Sequence, residues 1–474
     1  MEALVNRILT LPLVLVAWSI SACSSTVPPA SNLCTDPPTS TYADPGALPA
    51  NDGDLVRCAQ DGSIAAADVD RIARTTGYTG SRLTSGFELF RLSYRTERGT
   101  MPPRAGFSSA VALLPTTPRA AALPVIVVDH GTTGEAPGCP PSKESPTGDN
   151  TYLAELGYPL VGAGYAVILP DYAGYAGFGA SHNPPSGYHA SADEARSTLD
   201  AARALRALRP SLFSSDVVLV GHSQGGHAVL SALALDASYG SGGTLAGVVA
   251  YAPSWFTMRT FGAILAVPTE YPLPAAADTV AASVWYHYSH AELLDGPGAG
   301  ALLFAADKRD RIRSFFDNSC DEQQLAMLGT SATDLFDPTF TSDVAYAAAL
   351  DTGCMTDDCT TWLARYSADR PHLTGNATRV PILIVYGDQD EWIPADRETC
   401  GFDRLASDQA NATVCIVAGA THDGVVGARA DYVNDWIAAR ALGGAAPTAC
   451  GPGAEALVDT MGSPITCATL PRND

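Results

Sequence analysis

A glycine-rich turn at residues 221–226, G-H-S-Q-G-G, lies between a predicted strand and a predicted helix and constrains the fold more than any other segment. The apolar run at 216–220 leads into the turn, and an Ala/Leu-rich helix over 224–236 follows it. Such a junction is tight, and glycine two positions before and two positions after Ser223 keeps side chains from colliding with the strand and the helix. A strained turn of this kind lifts the serine hydroxyl to the carboxyl edge of a sheet. We therefore expect Ser223 to be an accessible nucleophile.

The rest of the chain alternates apolar strands with helical patterns. The run 123–128 is continuous and apolar, which is typical of a fully buried parallel strand, and a helix pattern covers 190–208. Eight segments are predicted as strands: 87–94, 109–114, 123–128, 164–169, 216–220, 245–251, 380–386 and 412–417. Strands that alternate with helices of this length form parallel βαβ units. The sequence therefore predicts an α/β fold with a mostly parallel central sheet flanked by helices.

Residues 256–375 interrupt that alternation with mixed helical and loop patterns that contain several aromatic residues. Because this stretch lies between two predicted sheet strands, we interpret it as an insertion that divides the core into 81–255 and 376–442. Insertions at such positions often carry function, so a helical cap over the active edge of the sheet is expected. A scaffold decoration without a role in substrate choice is the alternative.

The N-terminal segment has the pattern of an export signal. Arg7 precedes an apolar run at 8–20, and Ile-Ser-Ala-Cys ends at Cys23; the run is too short to span a bilayer comfortably. This ending resembles a bacterial lipobox, so residues 1–23 are predicted to be a lipoprotein signal peptide and Cys23 to be lipidated, with ordinary signal cleavage as the alternative. With lipidation, the protein is expected to be exported and held at the cell envelope by its lipid. The serines that follow Cys23 favour the outer membrane. With ordinary signal cleavage, the protein is expected to be secreted.

Composition bounds the remaining possibilities. Residues 24–80 are rich in Pro, Ser, Thr and Asp and are expected to form a tether and an irregular lead-in pinned by a disulfide. The formal net charge of −22 argues against nucleic acid as a partner, since phosphate binding needs clustered Lys and Arg. Hydrophobic residues make up 46% of the 474 residues, which is enough to bury a large core.

Ten cysteines remain after Cys23, an even number that predicts up to five disulfides in an exported chain. Proximity in sequence suggests three pairs: Cys34 with Cys58, Cys400 with Cys415, and Cys450 with Cys467, the last holding a tail at 443–474. Zinc is the rival interpretation for Cys354 and Cys359, but no C-x-x-C pair or matched histidine spacing supports it. No metal site and no cofactor are predicted.

A serine nucleophile needs a base, and where the serine lies on a strand–turn–helix junction of this kind, the partners follow it in the order acid, histidine. His422 is the only histidine after the last predicted strand, so we expect it to be the general base. The loop after 380–386 offers Asp388, Asp390 and Glu391. Asp390 is favoured as the acid, because the loop resembles the G-x-x-D-x-x-[VI]-P pattern of hydrolases. Asp388, which could instead cap the turn through its own backbone, is the alternative.

A tetrahedral intermediate at Ser223 needs two backbone N–H donors. One is expected from Gln224, the residue after the nucleophile, and the other from the loop that follows the strand 123–128. In that loop Thr132 is favoured, with Gly131 as the alternative, while His130 is expected to be a packed residue at a strand end.

Four motifs together resemble the secretory lipase family of the α/β-hydrolases: G-Y-A-V at 164–167, P-D-Y-A-G at 170–174, L-D-A-A-R-A at 199–204 and G-H-S-Q-G-G at 221–226. The similarity covers residues 90–255 and 376–440. It implies the α/β-hydrolase fold with an eight-stranded core sheet, a helical cap, and hydrolysis of acyl esters without a cofactor. It also implies that Asp171 and Asp200 are structural.

The leading hypothesis is therefore an esterase or lipase that acts through an acyl-enzyme on an acyl ester or lipid. An exported serine peptidase or aminopeptidase of the same fold is an alternative, because insertion carboxylates are available to bind a substrate amine: Asp295, Asp307, Asp310 and Glu322. A non-catalytic lipoprotein of this fold is a second alternative, for which a broken triad is the expected sign.

Overall fold

A computed structural model describes residues 34–148, 151–176, 183–256, 258–266, 275–320, 331–350, 353–393 and 395–448, with the single residues 329, 450 and 467. The predicted signal peptide at 1–23, with the predicted lipidation site Cys23, lies outside these described residues, as does most of the predicted tail at 443–474. No helix within the described ranges is both long enough and apolar enough to cross a membrane.

The described residues contain one nine-stranded sheet in the order β1-β2-β3-β5-β4-β6-β7-β8-β9. The strands are β1 Leu55–Ile64, β2 Phe87–Arg98, β3 Arg104–Pro115, β4 Leu123–Asp129, β5 Val167–Ala173, β6 Phe213–His222, β7 Thr244–Tyr251, β8 Ile382–Gly387 and β9 Ala412–Val417. The pairings β1·β2, β2·β3 and β3·β5 are antiparallel, and the pairings from β5 through β4 to β9 are parallel. All eight predicted strands are present, and the predicted α/β architecture with a mostly parallel sheet is confirmed.

The sheet has one strand more than the eight that the resemblance implies. The additional strand, β1, also corrects the prediction that residues 24–80 form an irregular lead-in. β1 and the helix α1, Ala66–Thr75, both lie in this segment. Among the strands of the sheet β1 pairs only with β2, beside an isolated bridge between Thr35 and Ala59, and its fully buried residues are Cys58 and Ala59. An edge strand of this kind has no continuous apolar run, which is why its sequence resembles a loop.

Helices cover both faces of the sheet. Among the described residues, the α-helices outside the 256–375 stretch are α1, α2 Tyr158–Gly162, α3 Ser191–Leu208, α4 Gln224–Tyr239, α12 Ala395–Ser407 and α13 Gly424–Ala441. One apolar cluster joins α1, α2 and α13 to one face of the sheet, and a second joins α3 and α4 to the other. All seven residues of β4 are buried between them, as expected of a central parallel strand.

The elements described between β7 and residue 370 are helices: α5 Met258–Ala266, α6 Ala275–Leu294, α7 Ala299–Leu302, α8 Arg309–Asn318, α9 Ala332–Leu335, α10 Pro338–Leu350 and α11 Asp357–Ala368. They bury an aromatic cluster of their own, which includes Phe261, Trp285, Tyr286, Phe316 and Trp362. This helical insertion therefore has a core separate from the two clusters of the sheet.

Five disulfides join described cysteines, and they correct two of the three predicted pairs. The pair Cys34–Cys58 is confirmed. The pairs Cys400–Cys415 and Cys450–Cys467 are wrong; the bonds are Cys400–Cys467, Cys415–Cys450, Cys139–Cys320 and Cys354–Cys359. The reason is the sheet itself, because Cys415 packs into the cluster on one face and Cys400 into the cluster on the other. The bond between Cys354 and Cys359 removes both thiols as zinc ligands.

Candidate active site

The turn between β6 and α4 holds Ser223 in a strained conformation with φ 55° and ψ −117°. The two flanking glycines are needed for this geometry. A Cβ atom on Gly221 would lie 2.0 Å from the carbonyl oxygen of Gly225, and one on Gly225 would lie 2.1 Å from the carbonyl oxygen of Asp129. Strand, turn and helix are therefore packed backbone against backbone. Ser223 lies in the strained turn between strand and helix that the sequence predicts.

The loops after β8 and β9 bring the predicted acid and base together. The Nδ1 atom of His422 lies 2.7 Å from Oδ2 of Asp390, whose side chain is fully buried. The other oxygen, Oδ1, accepts hydrogen bonds from the backbone N–H groups of Trp392 at 2.9 Å and Ile393 at 2.8 Å. Three donors thus hold the Asp390 carboxylate, and its contact fixes the Nδ1–H tautomer of His422 and leaves Nε2 to accept a proton.

The neighbouring carboxylates have other partners. Asp388 is exposed and accepts a hydrogen bond from the backbone N–H of Gly419 at 2.7 Å. Glu391 accepts one from the backbone N–H of His422 at 3.1 Å. The structure therefore brings Asp390, and not Asp388, to the imidazole, and it assigns to Asp388 and Glu391 the task of fastening the two loops to each other.

His222, which the sequence analysis did not single out, lies between the turn and the predicted base. Its Nε2–H donates a 3.0 Å hydrogen bond to the carbonyl oxygen of His422, and the two rings are 4.7 Å apart. Burial, with a further contribution from nearby His422, lowers the pKa of His222 to about 3, so the ring is neutral. Among the described residues no hydrogen bond joins the Ser223 hydroxyl to His422. In ligand-free enzymes that contact is often long and tightens when substrate binds.

The loop after β4 passes directly over the turn. A Cβ atom on Gly131 would lie 3.4 Å from the Cβ of Ser223, so this glycine keeps space open at the serine. His130 is buried as predicted: its Nδ1–H donates to the carbonyl of Gly131 at 2.6 Å, and its ring packs 4.7 Å from that of Tyr172. Burial lowers the pKa of His130 to about 4, which keeps it neutral.

Tyrosine hydroxyls hold the carbonyl groups of this loop. Tyr152 donates to the carbonyl of Thr132 at 2.7 Å, and the side chain of Thr132 hydrogen-bonds to the Tyr188 hydroxyl at 2.9 Å. The neighbouring carbonyls of His130 and Thr133 accept from Tyr172 at 3.1 Å and from Tyr175 at 3.2 Å. In the described part of the chain, nothing accepts a hydrogen bond from the backbone N–H of Thr132 or of Gln224, and both groups are left for a ligand.

Glu194 on α3 is a second residue that the sequence analysis missed. Its Oε1 accepts a 2.7 Å hydrogen bond from the side chain of Gln224, which is fully buried. This contact turns the Gln224 side chain inward and keeps it out of the space above Ser223. An acidic residue in the first turn of a helix ordinarily faces solvent, so its sequence position gave no signal of this contact.

Asp171 and Asp200, which the resemblance implies to be structural, lie among scaffold residues. Asp171 accepts from the backbone N–H of Ser142 at 2.7 Å. Asp200 accepts from the hydroxyls of Thr96 at 2.6 Å and Tyr239 at 2.7 Å. Both carboxylates therefore tie a strand or a helix to its neighbours.

The helical insertion contacts the loop after β4 at two points. The disulfide Cys139–Cys320 links the loop to the end of α8, and Gly134 packs so closely that a Cβ atom there would lie 2.5 Å from the Cα of Cys320. Nearby, the Ser289 hydroxyl on α6 accepts from the backbone N–H of Tyr188 at 3.0 Å. The insertion thus supports the loop that carries Thr132.

Comparison with known structures places this geometry on a familiar scaffold. The esterase LipA from Xanthomonas oryzae, described as degrading rice cell walls, superposes with a TM-score of 0.63 at 16% identity, over 83% of this chain and 99% of that one. Lipase A from Candida antarctica in its closed state superposes with a TM-score of 0.60 at 16% identity, over 94% of this chain and 92% of that one. At such identities the likeness concerns the fold.

No curated protein matches the chain in sequence. The model of the alpha/beta hydrolase family, however, matches residues 126–436, a span from β4 to α13 that contains the turn at Ser223, the Asp390 loop and His422. The chain therefore belongs to the alpha/beta hydrolase family.

Proposed function

We propose that the protein is a serine hydrolase that cleaves carboxylic esters through an acyl-enzyme on Ser223, with Asp390 and His422 as its acid and base. The observation that carries this proposal is the 2.7 Å contact between a fully buried Asp390 carboxylate and His422 on the loops after β8 and β9. A strained serine in the turn after β6, at the same edge of the sheet, and an aspartate-bound imidazole are the elements of a nucleophile activated by a base.

The reaction begins when His422 takes the proton of the Ser223 hydroxyl and the oxygen attacks the ester carbonyl. The N–H groups of Gln224 and Thr132 stabilise the charge that develops on the carbonyl oxygen. His422 then protonates the departing alcohol, which leaves an acyl group on Ser223. In the second half of the cycle His422 removes a proton from water, the hydroxide attacks the acyl-enzyme, and the proton returns to Ser223 as the acid leaves.

His222 has a positioning role in this scheme. Because its ring is neutral and its Nε2–H is bound to the carbonyl of His422, it holds the base next to the turn without adding charge. Asp390 orients the His422 ring through Nδ1 and stabilises the imidazolium that forms in each half-cycle.

Two observations support an ester as the scissile bond. The structural relatives reported above include an esterase and a lipase, and the four motifs at 164–226 resemble secretory lipases. The carboxylates considered for a peptidase are less suited to binding a substrate amine: Asp295 is bound to Arg365 at 3.0 Å, and the charged ends of Asp307 and Asp310 are exposed. Glu322 lies outside the described residues.

We further propose export and lipid anchoring at Cys23. Five disulfides among the described residues support an oxidising compartment. Expression of the full chain and of Cys23→Ala in a double-membraned bacterium tests the anchor. The native chain is expected in the membrane fraction with incorporated palmitate, and the variant in the soluble fraction without it; equal fractionation of the two would contradict lipidation.

A hydrolysis panel on the purified protein tests the activity: p-nitrophenyl esters of short, medium and long acyl chains beside aminoacyl p-nitroanilides, each with Ser223→Ala as the control. Ester turnover that disappears in Ser223→Ala supports the proposal, and the preferred chain length separates an esterase from a lipase. Turnover of anilides alone would transfer the assignment to a peptidase, and no turnover of any substrate would favour the non-catalytic alternative.

A further inference from the structure

A second cluster of buried polar side chains lies behind the turn at Ser223. It consists of His189, which precedes α3, Glu194 in the first turn of α3, and His227 in the first turn of α4. One nitrogen of each histidine and one carboxylate oxygen all lie within 4.8 Å of one another, and all three residues are buried. The proposed reaction uses none of these three side chains as a reacting group.

His189 is the unusual member of this cluster. It is 2% exposed, its φ of 57° is rare for a non-glycine residue, and neither ring nitrogen has a hydrogen-bond partner among the described residues. Its ring packs 4.7 Å from that of His227 and 4.8 Å from that of Phe256. A buried polar group without a partner is costly, and one held in a strained conformation calls for a ligand.

The other two members are already oriented by outer contacts. The Nε2–H of His227 donates to the backbone carbonyl of Asp369 at 2.7 Å, and its Nδ1 lies 2.9 Å from Oε2 of Glu194. The second oxygen of Glu194 accepts from the backbone N–H of His189 at 2.8 Å and from the Gln224 side chain at 2.7 Å. A histidine whose far N–H binds a carbonyl, beside a carboxylate with its own donors, is the usual surrounding of metal ligands.

We propose that His189, Glu194 and His227 bind one divalent transition-metal ion of the zinc class. The ligands are a ring nitrogen of His189, Nδ1 of His227 and Oε2 of Glu194, with water in the fourth position. Two imidazoles and one carboxylate suit zinc, whose tetrahedral ligands lie roughly 3.4 Å apart, so the His189 ring moves toward the other two on binding. The metal takes the place of the proton between His227 and Glu194, and that proton is released to solvent.

Such an ion would connect three parts of the structure at one point. It joins the segment that carries Tyr188, the start of α3 and the start of α4, and through Glu194 it fixes the Gln224 side chain. Because the insertion residue Asp369 binds His227 and also receives hydrogen bonds from Tyr286 at 2.6 Å and His290 at 2.8 Å, the site also borders the helical insertion.

The first experiment measures retained metal. The purified chain is stripped with a chelator, loaded with zinc, dialysed and measured by inductively coupled plasma mass spectrometry. One zinc per chain is expected in the native protein, and none in His189→Asn, which keeps a residue that tolerates the left-handed conformation. His372→Asn removes an exposed histidine bound to Asp408 and is expected to retain the ion.

A variant at the triad separates the proposed site from a competing one. His222, His422 and Asp423 also place ligand atoms within 4.8 Å of one another. His422→Asn is expected to retain zinc if the ion sits at His189. Loss of zinc in His422→Asn with retention in His189→Asn would overturn the proposal, and so would a native chain that retains none.

Cobalt substitution tests the coordination without any mutation. The native chain loaded with Co²⁺ is expected to show the intense visible bands of a low-coordinate complex with nitrogen and oxygen ligands, and Glu194→Gln to lose them. Weak bands of hexa-aquo type in the native chain would contradict the proposal. Circular dichroism and thermal unfolding in the presence of chelator test whether His189→Asn folds, and both are expected to match the native chain. Addition of zinc is then expected to raise the Tm of the native chain and not that of His189→Asn.

Discussion

The Asp388 carboxylate accepts a hydrogen bond from the backbone N–H of Gly419 at 2.7 Å, although the two residues are 31 positions apart. This contact joins the loop after β8 to the loop after β9 at their exposed side. Two residues further on, Asp390 makes the buried contact with His422. Asp388 therefore joins the two loops, whereas Asp390 places a negative charge beside His422.

Asparagine substitutions at the two positions give a matched pair. Asp390→Asn removes the charge that orients His422 and is expected to lower kcat by roughly 10³–10⁴-fold. Asp388→Asn keeps a side-chain oxygen for Gly419 and is expected to change kcat by about threefold or less. Steady-state kinetics on a p-nitrophenyl ester measures both, and a larger loss in Asp388→Asn would exchange the two roles.

Tyr152 offers a test of the loop that carries Thr132. Tyr152→Phe removes the hydroxyl that binds the Thr132 carbonyl at 2.7 Å and leaves the ring in place. Since one such hydrogen bond contributes about 1 kcal/mol, we expect kcat to fall by about threefold to tenfold with little change in KM.

Tyr158→Phe is the control for Tyr152→Phe, because the Tyr158 hydroxyl binds the carbonyl of Pro146, which lies outside the site. Its kcat is expected to stay at the native value. Equal kinetics in Tyr152→Phe and Tyr158→Phe would show that the Thr132 carbonyl contact does not support catalysis.

The neutral ring of His222 predicts a loss of stability in acid. Burial lowers its pKa from 6.5 to about 3 in the folded protein, so the unfolded chain takes up a proton first as the pH falls. The contribution to stability is complete above pH 6.5 and disappears as the pH falls toward 3. Between pH 7 and pH 4 we expect the native chain to lose on the order of 3 kcal/mol more than His222→Gln, whose amide can still donate to the His422 carbonyl.

Denaturant titrations of both proteins at the two pH values measure that difference. His130, with a pKa of about 4, is present in both chains, so its contribution cancels in the comparison. Parallel losses of unfolding free energy in the native chain and in His222→Gln would show that His222 is not the residue responsible.

The disulfide between the loop and the insertion predicts a kinetic effect as well as a stability effect. Cys139–Cys320 spans 181 residues and lies beside Gly134, whereas Cys354–Cys359 spans five within the insertion. Replacing Cys139 and Cys320 by serine is expected to lower both Tm and kcat, the latter by about tenfold, because the loop after β4 loses its support. The matching double substitution at Cys354 and Cys359 is expected to leave kcat unchanged; an equal loss of kcat in both variants would contradict this role for Cys139–Cys320.

The sequence allowed the parts of the fold that depend on local pattern to be predicted. Apolar runs such as 123–128 located the central strands, and chain order selected His422 as the candidate base. The loop pattern favoured Asp390 over Asp388, and the structure gives the physical difference, because the Asp390 side chain is buried against His422 whereas Asp388 is exposed. That is a property of how two loops pack together.

The features that sequence analysis missed depend on contacts across the sheet. Cys400 and Cys415 are neighbours in sequence yet lie on opposite faces of the sheet, so proximity in sequence suggested the wrong pair. Glu194 and His222 gave no signal because their partners, Gln224 and the carbonyl of His422, come next to them only when helices and loops meet. Tertiary packing, which a single sequence does not encode locally, decides such cases.

The position of β1 sets the distance between the entry of the chain and its reacting groups. β1 lies at one edge of the sheet, five places from β6, which leads to Ser223, and eight places from β9 at the other edge. With strands about 4.8 Å apart, the chain joins the sheet roughly 24 Å from the strand of the serine. If Cys23 carries the lipid proposed above, the anchored part of the chain enters the sheet at β1, the edge farthest from β9 and the His422 loop.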